Sequence, residues 1–322
     1  VAVTATARAV IQDKLTPAEG ISRLLDLRRS KLPSAFVLLA AHGLASASAA
    51  RFLGGGWPEI RMAAIAGVIT GLIALVTARL PALRRVYELT AAFLASVTMA
   101  LLAALLGNFS LSTATLAGLI VLVPGLTVTT AIAELAMSHL TAGTTRMAGA
   151  FMTFIGIGFG VALGQQVAEK LVGTPPVVSP AEMSAAFTWV ALFVSAVAFS
   201  VLLRASWRDL GWIMLAGTLA FLGTRLGGAL VGAELGAFIG ALGVGIGSNL
   251  FNRITGRPAS ITMVPGLLIL VPGSVGFRSI FALLDSQVVA GIDTAFTMVL
   301  TAVSLVAGLL TASAVFPEKP IV

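Results

Sequence analysis

The stretch "LIVLVPGLTVTT", residues 119–130, interrupts an apolar run with Pro124 and Gly125 and follows them with Thr127, Thr129 and Thr130. Proline removes a backbone donor and its ring clashes with the preceding helical turn, while glycine tolerates the dihedrals of a break. The residues therefore predict a kinked or discontinuous helix. The same pair returns as Pro272 and Gly273 in "LLILVPGSVGFRS", residues 267–279, so the break is made twice.

Around these breaks the chain is 58% hydrophobic and 10% charged over 322 residues, with a mean hydropathy of +1.03. Apolar stretches near the roughly 20 residues needed to cross the hydrocarbon recur along almost its whole length. The fold class is an all-α integral membrane protein without a large soluble domain. A net charge of +7 would suggest nucleic acid in a soluble protein, but the basic residues lie in short loops between apolar runs, where they report topology. The absence of cysteine excludes disulfides and thiolate metal sites within the chain and leaves the compartment undecided. No cleavable signal peptide is read at the start. The opening Val in place of Met reads as a fragment or an alternative start.

Apolar runs and their Gly, Pro and charge punctuation predict helices at 34–55, 60–79, 86–107, 112–139 and 145–170. A second set falls at 184–203, 209–229, 232–252, 259–287 and 291–315. The expected organisation is a polar cytoplasmic segment (1–31), a first membrane module (32–172), a proline-rich linker (173–183), a second module (184–316) and a short tail (317–322). The halves resemble each other. "GLIVLVPG" from Gly118 aligns with "GLLILVPG" from Gly266 at an offset of 148, which also pairs Gly143 with Gly291. Trp57 and Glu59 pair with Trp207 and Asp209 at an offset of 150, and Glu88 pairs with Glu234 at 146.

Basic residues arbitrate the topology. If both Pro-Gly segments cross, there are ten spans; with both termini cytoplasmic only Arg51, Arg61, Lys170, Arg225 and Arg278 of the 20 lysines and arginines lie outside. If both segments turn back, eight basic residues lie outside. The ten-span arrangement fits better and gives two five-helix repeats inverted across the membrane plane, each with a broken fourth helix. Secondary transporters are commonly built this way.

In lipid the backbone groups freed by a break need partners in protein or in a water-lined cavity. The helix after the break presents free N–H groups and the positive end of its dipole, which suits a substrate carboxylate. The expected substrate-binding residues are Pro124, Gly125, Thr127, Thr129 and Thr130 after the first break, and Pro272, Gly273, Ser274 and Arg278 after the second. A guanidinium can hold a carboxylate with two hydrogen bonds. The plainer account is that Pro-Gly ends a helix and the threonines bond back to their own carbonyls. Glu134 and Asp285 are the expected coupling residues, because ionisable groups at membrane depth are costly; a place near the helix ends would explain them without function. His42 reads as a core histidine donating to a carbonyl, and Glu88 and Glu234 as acids at helix N-termini. "GIGFGVALG" (156–164) and "GALGVGIGSNL" (240–250) read as close-packing surfaces, not nucleotide loops.

The stretch "LVPGLTVTTAIAELAMSHLTAGTTRMAGAF", residues 122–151, resembles the central signature of the threonine/serine exporter family, and "MVPGLLILVPGSVGFRSI", residues 263–280, its second module. The resemblance implies a ten-helix exporter of threonine and serine at the cytoplasmic membrane, driven by an ion gradient such as that of protons. Two-chain relatives are associated with dicarboxylate export. Pro124, Gly125, Thr129, Glu134, Gly143 and Arg146 match the first module's pattern, and Pro265, Pro272 and Gly273 the second's. Thr130 stands where Asn is expected and Glu134 where Asp is usual. Members usually carry a longer soluble N-terminal region, of which residues 1–31 look like the end.

The runner-up within transport is a carboxylate or dicarboxylate exporter, favoured if Arg278 dominates recognition. An intramembrane enzyme would need a motif that is missing: no His-Glu metal pair or Gly-x-Ser-x-Gly elbow occurs, and His42 and His139 lie on different helices. A purely structural membrane protein is the remaining alternative. The expected partners are a small-molecule substrate and the lipid bilayer, with no nucleic acid, cofactor or metal; a homo-oligomer is compatible with all of this.

Overall fold

The computed structural model describes residues 6, 10–11, 15–28, 33–180, 182–270, 273–284 and 287–319. Among these the chain is helical, with no strand. A short helix, α1 (Pro17–Arg28), precedes the membrane region, its first turn closed by Glu19, whose carboxylate accepts from the Thr16 N–H and hydroxyl, both at 2.8 Å. The first half then contains α2 (Ala35–Phe52), α3 (Trp57–Arg79), α4 (Tyr87–Leu106), α5 (Leu111–Gly118), α6 (Gly125–Ala136) and α7 (Leu140–Val172). The second half contains α8 (Phe187–Leu202), α9 (Leu210–Val231), α10 (Ala233–Thr255), α11 (Ser260–Leu270), α12 (Gly273–Leu284) and α13 (Val288–Val315).

Among the described residues eight helical stretches are long and apolar enough to cross a membrane, which makes this a multi-pass membrane protein; α6 and α8 are apolar but shorter. The region expected as one helix over 112–139 is two: α5 stops at Gly118 and α6 starts at Gly125. Pro124 sits at the N-cap of α6 and offers no capping side chain, so the first turn of that helix keeps unsatisfied N–H groups. In the second half α11 ends at Leu270 and α12 begins at Gly273; Pro272 lies outside the described residues. The helix expected from 145 starts at Leu140 and runs 33 residues, about 50 Å at the helical rise and longer than the hydrocarbon is thick.

The core is built from small side chains. Ala66, Ala91, Ala92, Ala95 and Ala117 are fully buried, whereas Phe36, Leu72, Leu105, Phe151 and Phe159 face outward. Lipid tails solvate large apolar groups as well as a core does, so close packing of small residues holds such helices together. Gly160 and Gly164 of α7 lie against Leu89–Phe93 and Phe93–Ser96 of α4, and Ser96 Oγ donates to Val161 O at 3.0 Å. The contact rises along both helices together, so α4 and α7 are parallel. In the second half Gly308 of α13 meets Phe238–Leu242 of α10, and Gly245 of α10 meets Ala312 of α13. Those two helices are parallel as well.

Residues that correspond between the halves make corresponding contacts. Gly118 packs on Ala66 and Gly266 on Ala216; Gly143 packs on Leu135 and Gly291 on Leu283. Glycines at φ of 60° and 66°, Gly107 and Gly256, terminate α4 and α10 in a left-handed conformation that side-chain-bearing residues adopt only under strain. A buried carboxylate stands near the start of the second long helix in each half. Glu59 accepts from the N–H groups of Gly56 and Ser110, both at 2.9 Å, which ties α3 to the start of α5. Asp209, 2% exposed, pairs with Arg257 in the turn before α11. Across the halves α2 and α8 are antiparallel. Arg51 at the end of α2 donates to the carbonyls of Met183 and Ser184 just before α8, at 3.3 and 3.2 Å, and the start of α2 shares a cavity wall with Ser200 and Arg204 at the end of α8.

Candidate substrate site at the junction of the two halves

Gly125, the first residue of α6, meets Gly273. A Cβ placed on Gly273 would fall 3.4 Å from Gly125 Cα and 2.6 Å from Val123 Cγ1, so only glycine lets the two backbones approach this closely. Beside this contact lies a cavity of about 580 Å³, walled by the broken segment from Ile120 to Pro124 and by Thr127 and Gly273. Four polar side chains from distant helices complete the wall: His42 of α2, Glu88 of α4, Thr153 of α7 and Arg204 at the end of α8.

Each of the four is placed by its own element. His42 is nearly buried, with Nδ1 2.8 Å from Leu38 O; the carbonyl has no proton to give, so Nδ1 carries it. The ring is confined on its other side by Gly71, where a Cβ would approach His42 Cγ to 2.9 Å. Glu88 occupies the first turn of α4, as expected for an acid at a helix N-terminus. Arg204 follows the last turn of α8 at φ 54°, with Ala205 N–H bonded to Ser200 O at 2.8 Å, a turn that ends a helix by left-handed reversal. A non-glycine residue there is strained, and the strain is accepted where the side chain reaches the cavity. Neither Glu88 nor Arg204 forms an ion pair among the described residues.

The expected binding residues are distributed over three cavities. Pro124, Thr127 and Gly273 line the large one, and the Thr127 hydroxyl makes no hydrogen bond among the described residues. Thr129 and Thr130 bond back to Gly125 O at 3.1 Å and Leu126 O at 2.8 Å, the plainer of the two roles open to them. Gly125 is buried against Gly273. Ser274 lines a small cavity of about 70 Å³ with Ser195 and Phe199. Arg278 lines a cavity of about 320 Å³ with Thr115 and Gln165, away from Thr127. Glu134 is held by Arg146, with Nε at 3.1 and 3.0 Å from its two oxygens and the terminal nitrogen at 2.9 Å, which ties the end of α6 to the first turns of α7. Pro272 and Asp285 lie outside the described residues. Among those residues no three His, Asp or Glu side chains gather as a metal site would require.

No signal in the sequence points to Arg204, which appears there only as a marker of topology, or to Glu88 as a cavity group. Both come from helices remote from the break.

A family described as putative threonine/serine exporter matches residues 1–168, just over half the chain. The chain belongs to the threonine/serine exporter family. A second description, threonine/serine exporter ThrE, matches residues 188–315, so this member carries both modules of the family in one chain. It is similar to pheromone-regulated membrane protein 10 of Debaryomyces hansenii, 26% identical over 306 residues that cover 89% of this chain and 29% of the relative. The protein of the same name from Eremothecium gossypii is 25% identical over 281 residues, covering 84% of this chain and 38% of the relative. The chain therefore spans about a third of the length of these relatives. No solved structure matches it.

Proposed function

We propose that this threonine/serine exporter family member is a secondary exporter of small amino acids, threonine and serine foremost, coupled to the proton gradient of the cytoplasmic membrane. The observation that carries the proposal is the content of the cavity beside Gly125 and Gly273: one guanidinium, one carboxylate and two hydroxyls, from Arg204, Glu88, Thr127 and Thr153. These complement a zwitterion that bears a hydroxyl. Arg204 and the free N–H groups of α6 take the substrate carboxylate, Glu88 takes its ammonium, and Thr127 and Thr153 take its side chain. A dicarboxylate would meet Glu88 as a like charge, which favours the amino acid.

In this reading the two broken helices each cross the membrane, giving ten crossings in two inverted five-helix repeats. The parallel packing of α4 with α7 and of α10 with α13 supports it, because parallel neighbours require an odd number of crossings between them. The antiparallel run of α2 and α8, the corresponding helices of the two halves, supports the inversion. The modules are 32–172 and 184–316, joined by 173–183, with the segments 1–31 and 317–322 cytoplasmic and only five basic residues on the outside. The Glu88–Arg204 cavity then opens to the cytoplasm.

Proton coupling is assigned first to the titratable groups on this cavity, Glu88 and His42. Glu134 serves as a carrier only if its pair with Arg146 opens, and Asp285 stands on sequence grounds alone.

The test is efflux of labelled threonine from preloaded proteoliposomes, with and without an imposed proton gradient and with succinate as competitor. Gradient-dependent threonine efflux is expected, and succinate movement alone would replace the substrate class. Arg204→Gln and Glu88→Gln should each raise the half-saturating threonine concentration about tenfold, the scale of one charge-assisted hydrogen bond. Unchanged saturation in both variants would remove the cavity from the transport path.

A further inference from the structure

Of the five basic residues assigned to the outer side, two meet in a second cavity. Arg51, at the end of α2, and Arg225, in α9, line a space of about 420 Å³ together with Thr188, Phe221, Thr224 and Ile269. No acid is among its described lining residues, and neither arginine forms an ion pair within 4 Å among the described residues. Arg51 uses one terminal nitrogen on the carbonyls of Met183 and Ser184, which leaves its charge uncompensated; Glu182, adjacent in sequence, does not pair with it. Arg225 lies over the Phe221 ring, its guanidinium carbon 5.6 Å from the centroid. Arg51 Nε is buried without a partner, and the Thr224 hydroxyl, also unpartnered, is turned away from the cavity toward Gly240 of α10.

Two unpaired cations lining one cavity are costly, and an anionic group between them relieves that cost. We propose that this cavity binds the carboxylate group of a small solute between Arg51 and Arg225. Charge-assisted bonds from the two guanidiniums would hold its oxygens, and the Thr188 hydroxyl would supply a further donor. The site differs from the inner cavity in lacking a carboxylate. It recognises the acid group of a solute irrespective of the rest of the molecule, as a release site for an exported amino acid requires. That last role rests on the exporter reading; the binding chemistry does not.

The experiment is calorimetric titration of the purified full chain, in neutral detergent, with succinate and with threonine at two ionic strengths. Binding that weakens with salt is expected. Arg225→Gln, whose side chain makes no structural hydrogen bond, should weaken it about tenfold. Thr188→Val should weaken it by a smaller factor, as the loss of one neutral donor. Arg61→Gln, an outer arginine away from the cavity, should bind as the parent does. Equal affinities for the parent and Arg225→Gln would overturn the proposal, as would an equal loss in Arg61→Gln. Arg225-dependent binding of phosphatidylglycerol with none of succinate or threonine would identify a lipid headgroup as the occupant and overturn it too. Arg225-dependent succinate binding by a protein that moves no threonine in liposomes would support this site and sink only the exporter reading.

Discussion

Replacing Gly160 by valine should abolish most of the folded protein. A Cβ there would stand 2.5 Å from Leu89 O and 3.1 Å from Phe93 N, main-chain atoms of α4 that move only if the helix moves. Separating α4 from α7 also stretches the bond from Ser96 Oγ to Val161 O. Overpacking in well-packed interiors costs about 1–3 kcal/mol and more where the obstacle is backbone, a large part of the roughly 5–15 kcal/mol that holds a typical domain together. Gly308→Val should behave alike, since its Cβ would lie 2.4 Å from Phe238 O. Gly156 is the internal control: it sits in the same helix with nothing within 4 Å of its ideal Cβ. The monodisperse fraction after detergent extraction, measured by size exclusion, decides the matter. If Gly160→Val and Gly156→Val recover equally, the α4–α7 contact is not as close as described.

The second large effect is expected at Arg257. Its partner Asp209 is 2% exposed and already has one oxygen, Oδ2, without a hydrogen bond. Arg257→Ala would leave that carboxylate buried and unpaired at the start of α9, at a cost of about 3–5 kcal/mol. Adding Asp209→Asn to the same protein should recover much of the loss, because the uncompensated charge goes with it. Arg146→Ala, which breaks the pair with Glu134, provides the contrast. That arginine side chain is 46% exposed, and an ion pair so open to solvent contributes little. Thermal unfolding in detergent should therefore place Arg257→Ala well below Arg146→Ala. Similar midpoints for the two would mean that Asp209 is solvated or otherwise partnered.

The two halves differ in how plainly they could be read beforehand. Pro124 and Gly125 announced the interruption because their effect is local: a missing donor and a permissive dihedral act on the backbone whatever surrounds them. The matches of Gly118 with Gly266 and of Gly143 with Gly291 were visible for the same reason, and these residues now make corresponding contacts with Ala66 and Ala216, and with Leu135 and Leu283. His42 was read as donating to a carbonyl, and Leu38 O is where its proton goes. The polar residues after the breaks were less legible. Thr127, Thr129 and Thr130 are indistinguishable by type, yet helical rotation puts one on the large cavity and turns the other two to their own carbonyls.

By itself the sequence determined that the chain is helical and crosses a membrane many times, and that a helix is interrupted at Pro124 and Gly125. Composition, proline and glycine chemistry and the placement of basic residues act along the chain and need no partner. Only the tertiary structure decided that Glu88 and Arg204 share a cavity with Thr127, that Arg278 lines a different one, and that Arg51 meets Arg225. Those meetings depend on helix direction and rotation and on how closely small residues such as Gly160 and Gly273 let neighbours approach. Such pairings are properties of the packed helices jointly, and no single helix encodes them.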